Sequence, residues 1–117
     1  NMVHRDDAAG SVAFLLESDL ARDEVVLVVD DEPVDKWAFA DWLATECDEP
    51  APLKRTIEER LDDPDLSAAA RRRVQTSKRC SNARLRELGY DFAYPTYREG
   101  YSAAIEAYLS GTDASEI

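Results

Sequence analysis

A continuous apolar run near the start of the chain constrains its fold most strongly. Residues Val25 to Val29 are all aliphatic, mostly β-branched, and show no alternation of polar and apolar positions. Such a run is typical of a strand that is buried on both faces of a parallel sheet. The sequence Asp-Asp-Glu-Pro follows at once and is expected to end the strand. The sequence therefore predicts a small, helix-rich α/β fold with one short buried sheet.

Apolar residues at helical spacing predict helices on both sides of this strand. The first helix is expected from Asp6 to Glu17, with Asp6 or Asp7 as its cap, and the second from the cap residue Asp35 to about Glu46. The faces expected to point into the core hold Ala9, Val12, Ala13 and Leu16 in the first helix, and Val34, Ala38, Phe39, Trp42 and Leu43 in the second, with Trp37 at its edge.

Shorter helices are predicted over residues 57–61 and 67–74, and the last third contains clearer signals. Ser81 or Asn82 is expected to cap a short helix with Leu85 and Leu88 in the core, and Gly89 is expected to end it in a left-handed conformation. A capping box then opens the last helix. The capping-box pair is Thr96 and Glu99, and the apolar stripe behind it is Tyr97, Tyr101, Ala104, Ile105 and Tyr108.

Length and charge limit the classes of partner. A chain of 117 residues is long enough for a single domain, and its net charge of −11 gives it a surface that repels phosphate. Nucleic acid and anionic membranes are therefore not expected as partners. No apolar run approaches the ~20 residues of a membrane span, and no leader pattern opens the sequence, so we expect a cytoplasmic protein.

The kind of charge adds a second expectation. Of the 14 basic residues only three are lysines, and the acidic residues number 25. Such a surface suits high salt, because salt screens repulsion between like charges, and we expect a halophilic source. The competing interpretation is a mesophilic acidic protein that is poor in lysine.

No catalytic or metal-binding motif stands out. His4 is the single histidine, and Cys47 and Cys80 are expected to be reduced thiols, so no metal site is predicted. The stretch from His4 to Asp7 suits either a polar ligand or a capping and ion-pair cluster. The Arg71–Arg73 triplet suits either a phosphate patch or a solvated helix end. The acidic turn after the predicted strand lies where α/β proteins often bind ligands, but a solvated turn is the simpler interpretation.

Four segments nevertheless resemble the second half of the extended short-chain dehydrogenase/reductase proteins, the NAD-dependent epimerase/dehydratase family. The stretch Asn1–Ala9 resembles that family's strand-to-helix junction, and Val28–Val34 is similar to the following strand and turn. The stretch Ser77–Leu85 with Leu88-Gly89-Tyr90, and then Tyr94–Gly100, resembles its C-terminal signature. The resemblance implies one C-terminal, substrate-binding subdomain over residues 1–117, a fragment of a Rossmann-type enzyme.

The resemblance also implies what this stretch does not contain. The family binds NAD or NADP through a GxxGxxG loop and transfers protons through a Tyr-x-x-x-Lys pair, and neither motif occurs here. We therefore expect no catalytic residue, no cofactor and no activity from this chain alone. Because Asn1 already lies inside the junction, we expect a truncated parent enzyme.

By the same resemblance, the substrate-side positions are Asn1, His4, Arg5, Lys78, Arg79, Asn82, Tyr94 and Arg98. Lys78 and Arg79 are expected either to neutralise a phosphate or carboxylate of the substrate or to form ion pairs with the acidic surface. The expected function is substrate binding in an epimerase, dehydratase or reductase that acts on a sugar nucleotide or related polar molecule. The alternative is a stand-alone interaction module, and in either case we expect a homo-oligomer.

Overall fold

The computed structural model describes residues 1–111, and this part of the chain is helical. Its helices are α1 (Arg5–Glu17), α2 (Lys36–Glu46), α3 (Ile57–Leu61), α4 (Ala68–Gln75), α5 (Ala83–Glu87) and α6 (Tyr97–Ser110). The chain divides into two compact units. The first unit comprises Asn1–Val34 and the chain from Cys80 onward, and the second unit comprises Asp35–Arg79.

The predicted α/β fold with its buried sheet is wrong, because no strand occurs among residues 1–111. Val25 is 94% exposed and Leu27 is 49% exposed, so the apolar run is not in the core. A strand requires a ladder of backbone hydrogen bonds to a neighbour, and within the described chain residues 25–29 form no backbone–backbone hydrogen bond. Pairing begins only after the run: the Asp30 amide donates to Met2 O and the Asp31 amide to Pro95 O.

The three helices predicted for the second unit are confirmed, and each begins at a side-chain cap. Asp35 accepts a hydrogen bond from the Ala38 amide at 2.8 Å, and Ser67 accepts one from the Ala70 amide at 3.1 Å. Thr56 caps α3 in the same way. These caps satisfy amide groups that have no partner inside the helix.

The second unit is held together by polar contacts. The Arg71 guanidinium donates to Leu61 O at 2.6 Å and to Asp63 O at 2.8 Å, which ties α4 to the end of α3. Lys54 forms an ion pair with Asp41 at 2.7 Å. No residue of this unit is buried, and the expected core face of α2 is at most half-buried.

The core lies in the first unit, on α5 and α6. Leu85 and Leu88 are buried as predicted, and Gly89 ends α5 with a φ of +105°. The Thr96–Glu99 capping box is confirmed at the start of α6. The predicted stripe of α6 is only partly correct. Its buried residues are Tyr97, Ile105 and Ala107, whereas Tyr101, Ala104 and Tyr108 are exposed.

The first helix is present as predicted, but its cap and its buried face differ from the prediction. His4 is the N-cap, because its Nδ1 accepts a hydrogen bond from the Asp6 amide at 3.1 Å. The expected core residues are exposed, with Val12 at 56% and Leu16 at 82%. The buried positions are Asp7 and Ser11, so α1 turns a polar face inward.

Candidate functional site

The buried carboxylate of Asp7 organises the first unit. Asp7 is fully buried and accepts three hydrogen bonds at 2.8–2.9 Å. The donors are the Tyr90 hydroxyl and the amides of Ala93 and Tyr94. The position of Asp7 in the first turn of α1 adds a favourable interaction with the helix dipole. This carboxylate therefore fastens the start of α1 to the segment between α5 and α6.

The Tyr90 side chain forms the other half of this contact, because its hydroxyl donates to Asp7. Burial, together with the hydrogen bond to Asp7, raises the pKa of the Tyr90 hydroxyl above its usual value. The ring packs edge-on against Phe14 and against Phe92, with centroid distances of 5.7 and 5.1 Å. Gly10 lies beneath the hydroxyl, and a Cβ at that position would be 2.7 Å from the oxygen. A residue with a Cβ at this position would therefore force the Tyr90 hydroxyl to shift.

Two of the predicted substrate positions form a stacked ring pair beside this contact. The rings of His4 and Tyr94 lie 3.9 Å apart between centroids, at 24° to one another. The His4 side chain is 20% exposed, so one part of the pair reaches the surface. Gly100 lies under the imidazole, and a Cβ at that position would be 3.5 Å from His4 Cδ2. The pair lies next to the N-terminus of α1, where His4 is the N-cap.

The two predicted asparagines join segments that are distant in the sequence. Asn1 accepts a hydrogen bond from the Cys80 amide at 2.7 Å and donates to Asp30 O at 3.3 Å. The amide of Asn82 donates to Val29 O at 3.1 Å and to Asp31 Oδ1 at 2.6 Å. Both side chains are therefore occupied by the fold itself.

Two neighbouring carboxylates after the apolar run have opposite environments. Asp30 is only 2% exposed, and neither carboxylate oxygen has a hydrogen-bond partner of good geometry in the described chain. Burial raises the pKa of its carboxyl group, and the nearby amides of Met2 and Glu32 oppose that rise. Asp31 instead receives both guanidinium arms of Arg86, and that hydrogen-bonded pair lowers the pKa of Asp31.

The predicted cations lie in different environments. Arg98 reaches Glu32 at 3.4 Å and lies 4.9 Å from the centre of the Tyr97 ring. Arg5 is exposed near Asp6, with 3.7 Å between the charged atoms. Lys78 and Arg79 are exposed and belong to the second unit. Six of the eight predicted positions thus lie in the first unit, and the other two do not.

Sequence reasoning missed Tyr90, and it missed that Asp7 and Asp30 are buried. It named Asp7 as a candidate helix cap and as part of the polar His4–Asp7 stretch, and Asp30 as part of an acidic turn, because acidic residues at such positions usually face solvent. A signal for the contact existed, since a glycine at position 10 weakens a helix unless another group approaches its backbone closely. Nothing in the sequence marked Tyr90 as the group that approaches.

No group of histidine, cysteine, aspartate and glutamate side chains within residues 1–111 is arranged to hold a metal ion. The first unit instead brings together the buried carboxylates of Asp7 and Asp30, the Arg86–Asp31 ion pair and the stacked rings of His4 and Tyr94. No helix in the described chain is both long and apolar enough to cross a bilayer. Comparisons with protein-family models, with curated proteins and with solved structures find no match to this chain.

Proposed function

We propose that the chain is the substrate-binding part of an NAD(P)-dependent epimerase, dehydratase or reductase that acts on a sugar nucleotide or related polar molecule. One observation supports this proposal: the segments that carry the resemblance, apart from residues 77–79, meet in the first unit. Asp30 N donates to Met2 O, Asn82 donates to Val29 O, and Asp31 N donates to Pro95 O. These contacts join stretches that are distant in the sequence, as a shared subdomain requires.

Six of the eight substrate-side residues have a role in this proposal. The His4–Tyr94 pair stacks on a planar ring of the substrate, and Arg5 and Arg98 pair with its phosphate or carboxylate groups. Asn1 and Asn82 hold the segments in register. Lys78 and Arg79 belong to the proposed set by resemblance alone.

The residues of this chain do not fit the dinucleotide cofactor. The four glycines are isolated, and no tyrosine has a lysine four residues further on. NAD or NADP would therefore be bound by another part of the parent enzyme, and this chain by itself binds substrate without turnover. We place the protein in the cytoplasm of a halophile, as a homo-oligomer without nucleic-acid or membrane partners.

Ligand titration followed by NMR tests substrate binding. UDP-glucose is expected to shift resonances of His4, Tyr94 and Arg98 at millimolar concentration, whereas NAD leaves them unchanged. Arg98→Gln should weaken the UDP-glucose response severalfold, and the matched control Arg22→Gln, on an exposed arginine paired with Asp19, should not. Absence of any shift with UDP-glucose, or NAD binding at roughly micromolar concentration, about −8 kcal/mol, contradicts the proposal.

The genomic DNA upstream of the Asn1 codon separates this proposal from the alternative of a stand-alone interaction module. An in-frame GxxGxxG motif followed by Tyr-x-x-x-Lys supports the enzyme. An in-frame stop codon directly upstream supports the module.

A further inference from the structure

Positive charge is concentrated in one stretch of this acidic chain. Between Asp65 and Glu87 there is no acidic residue, although 25 of the 117 residues are acidic overall. The same stretch holds half of all basic residues of the chain, namely Arg71, Arg72, Arg73, Lys78, Arg79, Arg84 and Arg86. The charge of this stretch is therefore opposite to that of the molecule as a whole.

Three of these cations have partners in the fold. Arg71 donates to two backbone carbonyl oxygens, while Arg84 and Arg86 pair with Glu24 and Asp31. The other four are exposed, and the structure of residues 1–111 gives them no hydrogen bond or ion pair. We call these four the basic strip; they are Arg72, Arg73, Lys78 and Arg79.

The favourable effect of a helix C-terminus on cations accounts for only two of the four residues of this strip. Arg72 and Arg73 lie in the last turn of α4, where backbone carbonyl groups favour cations. Lys78 and Arg79 follow the C-cap Thr76, beyond the reach of that effect. Ion pairs with the acidic surface, one of the two alternatives expected for these residues, are not formed in the described chain.

The unit that carries the strip also lacks a core of its own. None of its residues is buried, and Trp37, Leu53 and Ile57 are 48%, 100% and 57% exposed. A unit that combines exposed large apolar side chains with four unpaired cations has the features of a surface that meets another polypeptide. A partner that brings both apolar and acidic side chains would cover what this unit leaves open.

We propose that the basic strip docks an acidic segment of another polypeptide. One helical turn followed by four residues outside the helix covers up to roughly 15–20 Å, which matches about five extended residues of a partner rather than a single phosphate. A long nucleic acid, with one charge per ~1.7 Å of its axis, would also meet the ten acidic residues of the second unit. Guanidinium groups pair with carboxylates through two parallel hydrogen bonds, which suits a glutamate-rich partner.

The test uses a fluorescent ten-residue peptide of alternating glutamate and leucine, with fluorescence anisotropy as the readout. Measurements are made at the lowest potassium chloride concentration at which circular dichroism shows the full chain to be folded. The peptide is expected to bind, with an affinity that falls as salt increases. A peptide in which glutamine replaces glutamate should bind at least tenfold more weakly.

Two double variants separate the strip from general charge. Arg72→Gln with Arg73→Gln removes two strip residues that are not proposed substrate positions, and should weaken peptide binding at least fivefold. Arg22→Gln with Lys36→Gln changes the net charge equally and should leave binding within twofold. Hydrogen exchange of residues 36–79 in the unaltered chain should slow when the peptide is bound.

Three results would overturn the proposal. The first is no binding of the glutamate peptide, and the second is an equal loss in both double variants. The third is a thymidine decanucleotide that binds as tightly as the peptide, which would assign the strip to polyphosphates. None of these results bears on UDP-glucose binding by the first unit.

Discussion

Asp7 is the residue whose loss should damage the fold most. Replacing it with alanine leaves the Tyr90 hydroxyl and two backbone amides without their acceptor. Each unsatisfied buried donor costs about 1–3 kcal/mol, so Asp7→Ala should lower the free energy of unfolding by at least about 3 kcal/mol. Urea denaturation in molar potassium chloride measures this change. The neighbour Asp6 is exposed, and Asp6→Ala should cost less than about 1 kcal/mol.

Replacing Asp30 should raise the stability of the chain at neutral pH, whereas replacing Asp7 should lower it. Burial raises the pKa of its carboxyl group, so the folded state binds the proton more readily than the unfolded state does. Stability contributed by this group is therefore present at low pH and lost as pH rises through the folded-state pKa. Asp30→Asn should stabilise the chain at pH 7 by on the order of 1 kcal/mol. The gain should shrink as pH falls through the raised folded-state pKa and should be absent below the ordinary pKa of an aspartate, ~4.

Asp31→Asn is the matched control for this pH dependence. The paired Arg86 guanidinium lowers the pKa of Asp31, so its stabilising effect is present above the unfolded pKa and is lost as pH falls. The variant should therefore be less stable than the unaltered chain at pH 7 and equal to it at low pH. Urea denaturation from pH 3 to pH 8 distinguishes the two variants, and equal profiles would contradict both assignments.

Gly10 provides a test in which helix propensity and packing act in opposite directions. Glycine to alanine in a helix normally stabilises by up to about 1 kcal/mol, but here the added Cβ would meet the Tyr90 hydroxyl at 2.7 Å. We expect Gly10→Ala to lower the thermal midpoint. The Tyr90→Phe variant lacks the hydroxyl oxygen. In that variant, adding Gly10→Ala should lower the thermal midpoint much less than it does in the unaltered chain. A midpoint raised by Gly10→Ala would show that the ring moves freely.

At the scale of elements, the apolar run and the short helix α5 should respond very differently to truncation. Val25 is 94% exposed, so Val25→Ala should change the free energy of unfolding by less than about 0.5 kcal/mol. Leu85 is fully buried, and Leu85→Ala should cost about 2–5 kcal/mol. Urea denaturation of both variants measures the contrast. A large loss for Val25→Ala would restore the buried strand that the sequence predicted.

Helix boundaries were predictable because local signals specify them. The Asp35 cap, the Thr96–Glu99 capping box and the turn at Gly89 act within four residues of the backbone groups that they satisfy. The buried face of α1 was not predictable, because it depends on contacts between Asp7 and residues more than 80 positions away. The spacing of the apolar residues predicted that a different face of α1 is buried.

The strand that we predicted at residues 25–29 is absent for a related reason. Five β-branched or aliphatic residues favour an extended backbone, but a strand also needs a neighbouring segment to pair with. The described chain supplies partners only for Asp30 and Asp31, at the end of the run. Of the site, the sequence suggested His4, Tyr94 and Arg98 through a family resemblance. It contained no sign that His4 and Tyr94 stack or that Asp30 is buried.

For the whole molecule, the two units differ sharply in charge. The first unit contains 15 acidic and 5 basic residues, whereas the second contains 10 acidic and 9 basic residues. Repulsion between like charges therefore falls mainly on the first unit. The ion pairs Arg84–Glu24 and Arg86–Asp31 offset only a small part of this repulsion, because solvent screens both pairs.

Salt should stabilise this protein, and it should do so unevenly. Screening by potassium chloride weakens both the repulsion and the ion pairs, but with an excess of ten acidic residues in the first unit the relief of repulsion is the larger effect. We expect the thermal midpoint to rise steadily from low salt to molar potassium chloride. Hydrogen exchange should slow more in α1, α5 and α6 than in α2, α3 and α4. The matched control is sucrose at the same osmolality as the potassium chloride, because sucrose favours compact states but does not screen charge. An equal response to both solutes would mean that charge repulsion does not limit the stability of the first unit.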